Sequence, residues 1–384
     1  MDRRKFIRTI GGSGLVIAAS GFSLSRCDQM PESAISPWSG PAPDLPDREW
    51  LLSYAILAPN PHNRQPWLAD LSKDDEITLF ADPERLLPHT DPFGRQVLIG
   101  HGTFLELLGI AAREKGYRTK ITLFPNGEPA GDSLEIGTMP VARIQLEKDV
   151  SISTDPLFGD ILNRRSNKEG YEKAYLNATD EQIIESLPLL DGQRTGIATN
   201  EADVSPLREF ARLSVLKEIE TPRTLLESVE LTRIGATEIA ANPDGIDLNG
   251  PLFWWLKRFN LMSKEKAMTP GTLAHQGGID YAMGWVEGTY NMGWLSTADN
   301  SRSAQVNAGR SYVRLNLMAT NAGIAIHPVS QVLQEYPEMQ EIQSDFLDHL
   351  GIEAPETVQM FYRLGYQTNV SPSPRRKMPD IVIA

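Results

Sequence analysis

The chain is 384 residues long, 41% hydrophobic and 23% charged, a composition that lets one large or two medium domains bury a core and excludes a disordered polypeptide. Its formal net charge is −13, and Lys and Arg form no long runs, which argues against a nucleic-acid partner and for a small molecule. One cysteine, Cys27, allows neither an intrachain disulfide nor a thiolate cluster, and the six histidines show no His-x-x-His or His-Glu-x-x-His spacing, so no metal site is expected.

Residues Met1 to Arg8 form a basic stretch with paired Arg3 and Arg4, and Ile10 to Leu24 is modestly apolar but lightened by Gly11, Gly12, Gly14 and Gly21. That stretch is too short and glycine-rich for a stable spanning helix. The paired arginines followed by Lys5-Phe6-Ile7-Arg8 resemble a twin-arginine export signal. Residues 1–30 are therefore expected to send the protein to the periplasm or beyond, with no transmembrane helix in the mature chain; a basic anchor helix is the other reading. Ala18-Ala19-Ser20 offers a cleavage site, and a lipid anchor at Cys27 is weakened by Arg26 before it. Five prolines between Asp28 and Asp47 make residues 31–47 read as a linker.

The apolar run Trp50 to Leu57 predicts a buried helix. It delivers Ala58-Pro59-Asn60-Pro61-His62-Asn63-Arg64-Gln65-Pro66-Trp67, whose three prolines forbid both a continuing helix and an interior strand. This is a rigid loop that presents amide side chains. Strand-like runs follow at Glu76–Phe80, Lys120–Phe124 and Pro140–Leu146, the second ending in the turn signal Pro125-Asn126-Gly127, which predicts an antiparallel or mixed sheet. Between the first two, Gly100 to Lys115 has helical spacing and stops at Gly116. Gly309 to Ala319, stopping at Gly323, repeats that pattern, and each copy precedes a strand candidate. The spacing predicts an internal duplication, with a first half at 48–150 and a second at 151–384.

The second half opens with Asn163-Arg164-Arg165-Ser166-Asn167-Lys168, three cations and a hydroxyl that suit a dianionic phosphate; a solvated helix end is the alternative. Helices are predicted over 201–217 and 225–241. The aromatic groups Phe253-Trp254-Trp255, Met283-Gly284-Trp285 and Met292-Gly293-Trp294 are either core or a pocket lid. Val358 to Tyr366 reads as a buried strand, and Pro372 to Pro379 as a cationic loop pinned by prolines, with Arg375, Arg376 and Lys377 at a fixed place.

Three separated pieces, the loop Ala58–Trp67, Arg164-Arg165-Ser166-Asn167-Lys168 and Arg375-Arg376-Lys377-Met378-Pro379, resemble the FMN-binding segments of the nitroreductase family. The duplicated layout and export signal are most similar to its Acg-type branch, in which two nitroreductase-like halves share one chain. The resemblance covers roughly Pro46 to the C-terminus and implies an α+β nitroreductase-like fold with two pseudo-symmetric halves, each a mixed or antiparallel sheet packed by helices. It implies FMN contacts from Pro59, Asn60, Pro61, Asn63 and Gln65; from Arg164, Arg165, Ser166 and Lys168, with Lys168 beside the flavin N1 and C2 carbonyl edge; from Pro328, Val329 and Ser330 beside the ring; and from Arg375 and Lys377 at the phosphate. A flavin fits such residues, since its pyrimidine edge alternates donors and acceptors and its phosphate needs cations. Pro61 departs from the family, which usually has small hydroxyl residues before the key Asn, and it has no N–H to offer. No second Asn-x-Gln-Pro-Trp loop occurs, so one complete FMN site per chain is expected, in a monomeric pseudo-dimer.

The activity implied is a ping-pong oxidoreductase passing hydride through flavin N5 from NAD(P)H or another reductant to a small oxidised acceptor such as a nitroaromatic or quinone, with no catalytic side chain required. The alternative is an FMN-sequestering protein with little turnover. No Gly-x-Gly-x-x-Gly follows a strand, so a dinucleotide-binding fold is not supported.

Overall fold

A computed structural model of the chain describes residues 28–131, 135–137, 139–368 and 370–384. The twin-arginine motif, the cleavage site and Cys27 lie outside these residues. The first half runs through α1 (Glu32–Ile35), α2 (Asp47–Ala55), β1 (Trp67–Asp70), β2 (Glu76–Ala81), α3 (Arg95–Glu114), β3 (Tyr117–Leu123) and β4 (Pro140–Lys148). Its strands form an antiparallel sheet in the order β1-β2-β4-β3. Strand β2 alternates buried and half-buried residues, so Ile77, Leu79 and Ala81 face the core. Helix α3 starts five residues earlier than its periodicity predicts, because Asp91 caps it: one carboxylate oxygen accepts from the Gln96 N–H and the other from the Val97 N–H.

The second half continues with α4 (Ala178–Glu185) and β5 (Gln193–Ala198), then α5 (Glu201–Glu220), α6 (Pro222–Glu230), β6 (Thr232–Ile234), α7 (Ala236–Ala241), β7 (Ile246–Leu248), α8 (Pro251–Arg258), α9 (Lys264–Met268) and α10 (Leu273–Glu287). It closes with β8 (Asn291–Thr297), α11 (Arg302–Asn321), β9 (Ile324–Pro328), α12 (Gln340–His349) and β10 (Thr357–Tyr366). The sheet order is β5-β8-β10-β9, again antiparallel. Each half thus places its first, second, fourth and third strands in that order, with a long helix between the second and third. The expected duplication is visible as topology.

The halves meet where α3 crosses α11. Both helices are 20 residues long and both open on a buried arginine, Arg95 and Arg302. A Cβ at Gly102 would overlap the carbonyl oxygen of Val306, and one at Gly309 would overlap that of Ile99. The contact is reciprocal, as a two-fold axis between the glycines requires. Each terminal arginine donates into the opposite half, Arg95 to the carbonyls of Val358 and Leu333 and Arg302 to that of Phe93.

Residues between β5 and β8 have no counterpart in the first half, where β1 and β2 are joined by a short turn. This insertion is pinned back onto the first half. Asp244 pairs with Arg64 and Arg85 as well as with Arg233, and the Glu227 carboxylate accepts from the backbone of His89 and Thr90 and from the Thr90 hydroxyl.

Three expectations change. Residues 31–47 are no free linker: Ala34 and Trp38 are buried, and the Trp38 indole N–H donates to the Ser373 carbonyl (2.9 Å). The helix expected over 225–241 is split into α6 and α7, because Thr232–Ile234 pairs in parallel with Ile246–Leu248 and Gly235 takes φ +87°. The two halves are not contiguous in sequence either. The C-terminal segment returns to the first half, with Ile381 in its core, Val382 bridging Ala69 in parallel, and the Leu71 N–H donating to the Ala384 carbonyl. Among the aromatic groups, Trp285 and Met292 are core while Trp254 and Phe259 are exposed on and just after α8.

Candidate functional site

The loop after α2 is fixed by its own amides. Asn60 accepts from the Gln65 N–H (2.7 Å) and donates to the Ala58 carbonyl (3.1 Å), closing the turn. His62, Asn63 and Gln65 all take positive φ, at +47°, +51° and +52°. Three non-glycine residues there within four positions hold the loop in a costly shape that its surroundings must enforce. Gln65, fully buried, does so: it donates to the Pro243 carbonyl (2.8 Å) and accepts from the Arg376 N–H (2.7 Å). Pro61 begins a short 3-10 turn over Pro61–Asn63, where a missing N–H is tolerated. It and Asn60 pack against Gly100 of α3, and the Pro59 carbonyl accepts from the Thr103 hydroxyl.

The two cationic segments converge on the start of this loop. Arg164 and Arg375 both donate to the Leu57 carbonyl (2.8 and 3.4 Å), and Arg375 also bonds the Asn63 side-chain oxygen. Arg165, beside them, donates to the carbonyls of Leu162 and Arg164. Four buried guanidinium nitrogens remain without a partner: Nε and Nη1 of Arg164, Nε of Arg165 and Nε of Arg375. No carboxylate forms an ion pair with any of the three among the described residues. Burial pushes Arg164 down to about 10, and burial followed by repulsion from Arg164 and Arg165 holds Arg375 well below its usual value. Such a cluster suits an anion, since each orphaned N–H costs free energy that a phosphate oxygen would recover.

A second group lies along the same segment. Residues Arg164 to Lys168 are non-helical, so the segment can span at most about 14 Å. The Asn167 N–H donates to the Ile326 carbonyl, which seats it on β9. Lys168 is exposed, and its charge, after burial itself, holds His62 down to about 4; burial, then Arg363, then Lys168 depress His327. The imidazole of His327 accepts at Nδ1 from Arg363 Nε (3.0 Å), leaving its proton on Nε2. Arg363 is fully buried in β10, donates to the carbonyls of Asn167 and Glu169, lies 4.1 Å from the Tyr171 ring centre and keeps Nη1 unpaired.

No family model matches the chain. Among curated proteins it is similar to a "Putative NAD(P)H nitroreductase" of Mycobacterium tuberculosis, Rv3131, at 23% identity over 348 residues, covering 88% of this chain and 92% of that one. It is also similar to "Putative NAD(P)H nitroreductase acg" of the same organism, at 23% identity over 344 residues, covering 85% and 92%. Over most of its length the chain is similar to these two proteins, Acg among them. Of solved structures, a "putative nitroreductase" from Anabaena variabilis aligns over 87% of this chain and 91% of its own at 11% identity and TM-score 0.43. A Bacteroides fragilis nitroreductase with bound FMN aligns over 58% and 94% at 14% identity and TM-score 0.32.

The structure brings together Asn63, Arg164, Arg165 and Arg375. Ser166 is half-buried on the same segment. Pro328 and Ser330 are half-buried at the end of β9 and Val329 is buried between them. The side chains of Asn60 and Gln65, expected at the cofactor, shape the loop through bonds to the protein's own backbone, and Asn60 keeps a second amide N–H beyond its bond to the Ala58 carbonyl. Of the two C-terminal cations expected at the phosphate, Arg375 is buried beside Arg164 and Lys377 is exposed. Its neighbour Arg376 is buried but bonded to the carbonyls of Gln65 and Asp380. Sequence reasoning passed over His62, His327, Arg363 and Trp38. The arginine in an otherwise apolar strand, Phe361-Tyr362-Arg363-Leu364, was the signal that could have found one of them.

Proposed function

We propose that the chain is an FMN-binding oxidoreductase of the nitroreductase type, holding one flavin per chain. The observation that carries this reading is the group of buried Arg164 and Arg375 and half-buried Arg165, with four buried, unpaired N–H donors and no carboxylate partner among the described residues. Bound FMN would supply two-electron hydride chemistry at N5, between a reductant such as NAD(P)H and a small nitroaromatic or quinone-like acceptor. The side chains bind and orient. The three guanidinia would take the phosphate, while Asn63, bonded to Arg375 and to the Pro374 carbonyl, would hold Arg375 in place, and the strained loop fixes where they stand. At the other end of the segment Lys168 and Arg363 supply positive potential, which favours an anionic reduced ring. His327 and His62 are held neutral beside them and add no competing charge.

A holding role with little turnover is the second reading, favoured by one contact: Tyr281 on α10 of the insertion donates to the Lys168 carbonyl (3.4 Å), so the insertion packs at the Lys168 end of the site. One experiment tests both. The purified protein, supplied with FMN, is expected to turn yellow with one flavin per chain and to bleach under NADPH without oxygen. Failure to take up FMN would overturn the proposal, and a yellow protein that NAD(P)H and a quinol both leave oxidised would favour holding alone.

A further inference from the structure

The guanidinium group has a fourth wall that comes from neither cationic segment. Trp38, on the 3-10 turn Ser36–Ser39 just after α1, is 7% exposed. Its ring centre lies 4.4 Å from the Arg165 guanidinium carbon, 5.1 Å from that of Arg375 and 5.5 Å from that of Arg164. The position is pinned twice. The indole N–H donates to the Ser373 carbonyl (2.9 Å), and the Arg375 N–H donates to the Ala34 carbonyl (2.8 Å). Ser373 also accepts from Arg375 Nη1 through its hydroxyl (2.8 Å), so ring, serine and guanidinium form one connected unit.

Three like charges held this close repel, and Arg375 is depressed first by burial and then by Arg164 and Arg165, with Asp247 acting in the opposite sense. An aromatic face attracts cations without consuming their N–H donors, whereas a carboxylate would occupy them. We propose that Trp38 is a positioning residue of the phosphate site: its ring holds Arg164, Arg165 and Arg375 together in the ligand-free protein and leaves their unpaired N–H groups for an incoming phosphate dianion. The segment carrying it is thereby part of the binding site. This rests on the flavin reading for the phosphate's identity, but the anion site itself does not.

The test compares FMN with riboflavin, which lacks the phosphate, on the wild type, Trp38→Leu and Trp38→Phe. Trp38→Leu is expected to weaken FMN by about tenfold or more while riboflavin changes less than about twofold, and Trp38→Phe to recover most of the loss, given the usual strength of a desolvated cation–π contact. Equal weakening of both ligands, or unchanged FMN affinity, would overturn the proposal. Should Trp38→Leu not fold, fluorine NMR of 5-fluorotryptophan-labelled protein decides, with the Trp38 signal assigned by its absence from Trp38→Phe. That signal should move on adding FMN or inorganic phosphate and stay with riboflavin; a signal indifferent to both phosphates sinks the idea. A response to inorganic phosphate without any flavin uptake would keep the anion site and reject the flavin reading.

Discussion

Arg375 and Lys377 stand two positions apart in a loop where both were expected at the phosphate, and their surroundings separate them. Arg375 is 3% exposed and bonded to the loop through Leu57 and Asn63, whereas Lys377 is exposed. Arg375→Gln is therefore expected to weaken FMN by roughly 10- to 100-fold, the usual worth of a charge-assisted hydrogen bond, and Lys377→Ala by less than about twofold, both read by flavin titration. The residue types at this site were legible: three cations in one short segment and three prolines around three amides in another. Which atoms remain available was not, because the Gln65 amide is consumed by partners that only the folded chain brings near, such as Pro243 and Arg376. Trp38 was invisible for the same reason, since its proline-rich context reads as a linker and its partner Ser373 lies far along the chain.

Between elements, the crossing of α3 and α11 leaves no space for a side chain. Gly102→Ala or Gly309→Ala would drive a methyl group into the backbone of the facing helix, which cannot move away as a side-chain tip can. Each is expected to cost about 3 kcal/mol or more in denaturant unfolding. Gly109→Ala, on the same helix but 3.6 Å from the Thr119 hydroxyl, should be neutral or gain up to about 1 kcal/mol from helix propensity. The repeated glycine spacing was readable as a pattern, and the strands expected at 76–80, 120–124, 140–146 and 358–366 came out within a few residues of their observed ends, whereas β5 and β8 were not read as strands. The split of 225–241 was not readable, since a three-residue parallel pair carries too little periodicity to compete with a helical pattern.

Over the whole molecule, two histidines and two buried carboxyls set opposing acid responses. His62 and His327 are depressed from 6.5, so the unfolded chain binds their protons first and stability falls as pH drops from about 6.5 towards 4. Asp91, raised by burial to about 6 from 3.8, contributes in the opposite sense, its penalty being relieved as pH falls through about 6. Glu218, raised by burial, acts in the same sense as Asp91, so the histidine share is isolated by substitution. Denaturation midpoints at pH 7.5 and 4.5 should show that His62→Asn, which tolerates the positive φ, loses less stability on acidification than the wild type. An unchanged slope in that variant would mean that His62 titrates normally.

The glycine crossing carries one more consequence. Helices that meet this closely in two separate chains would part on dilution, because their contact would obey mass action. Here both glycines belong to one polypeptide, so the partner concentration is set by the connecting chain and not by the number of molecules in the compartment. A site built from both halves then stays assembled however sparse the protein becomes.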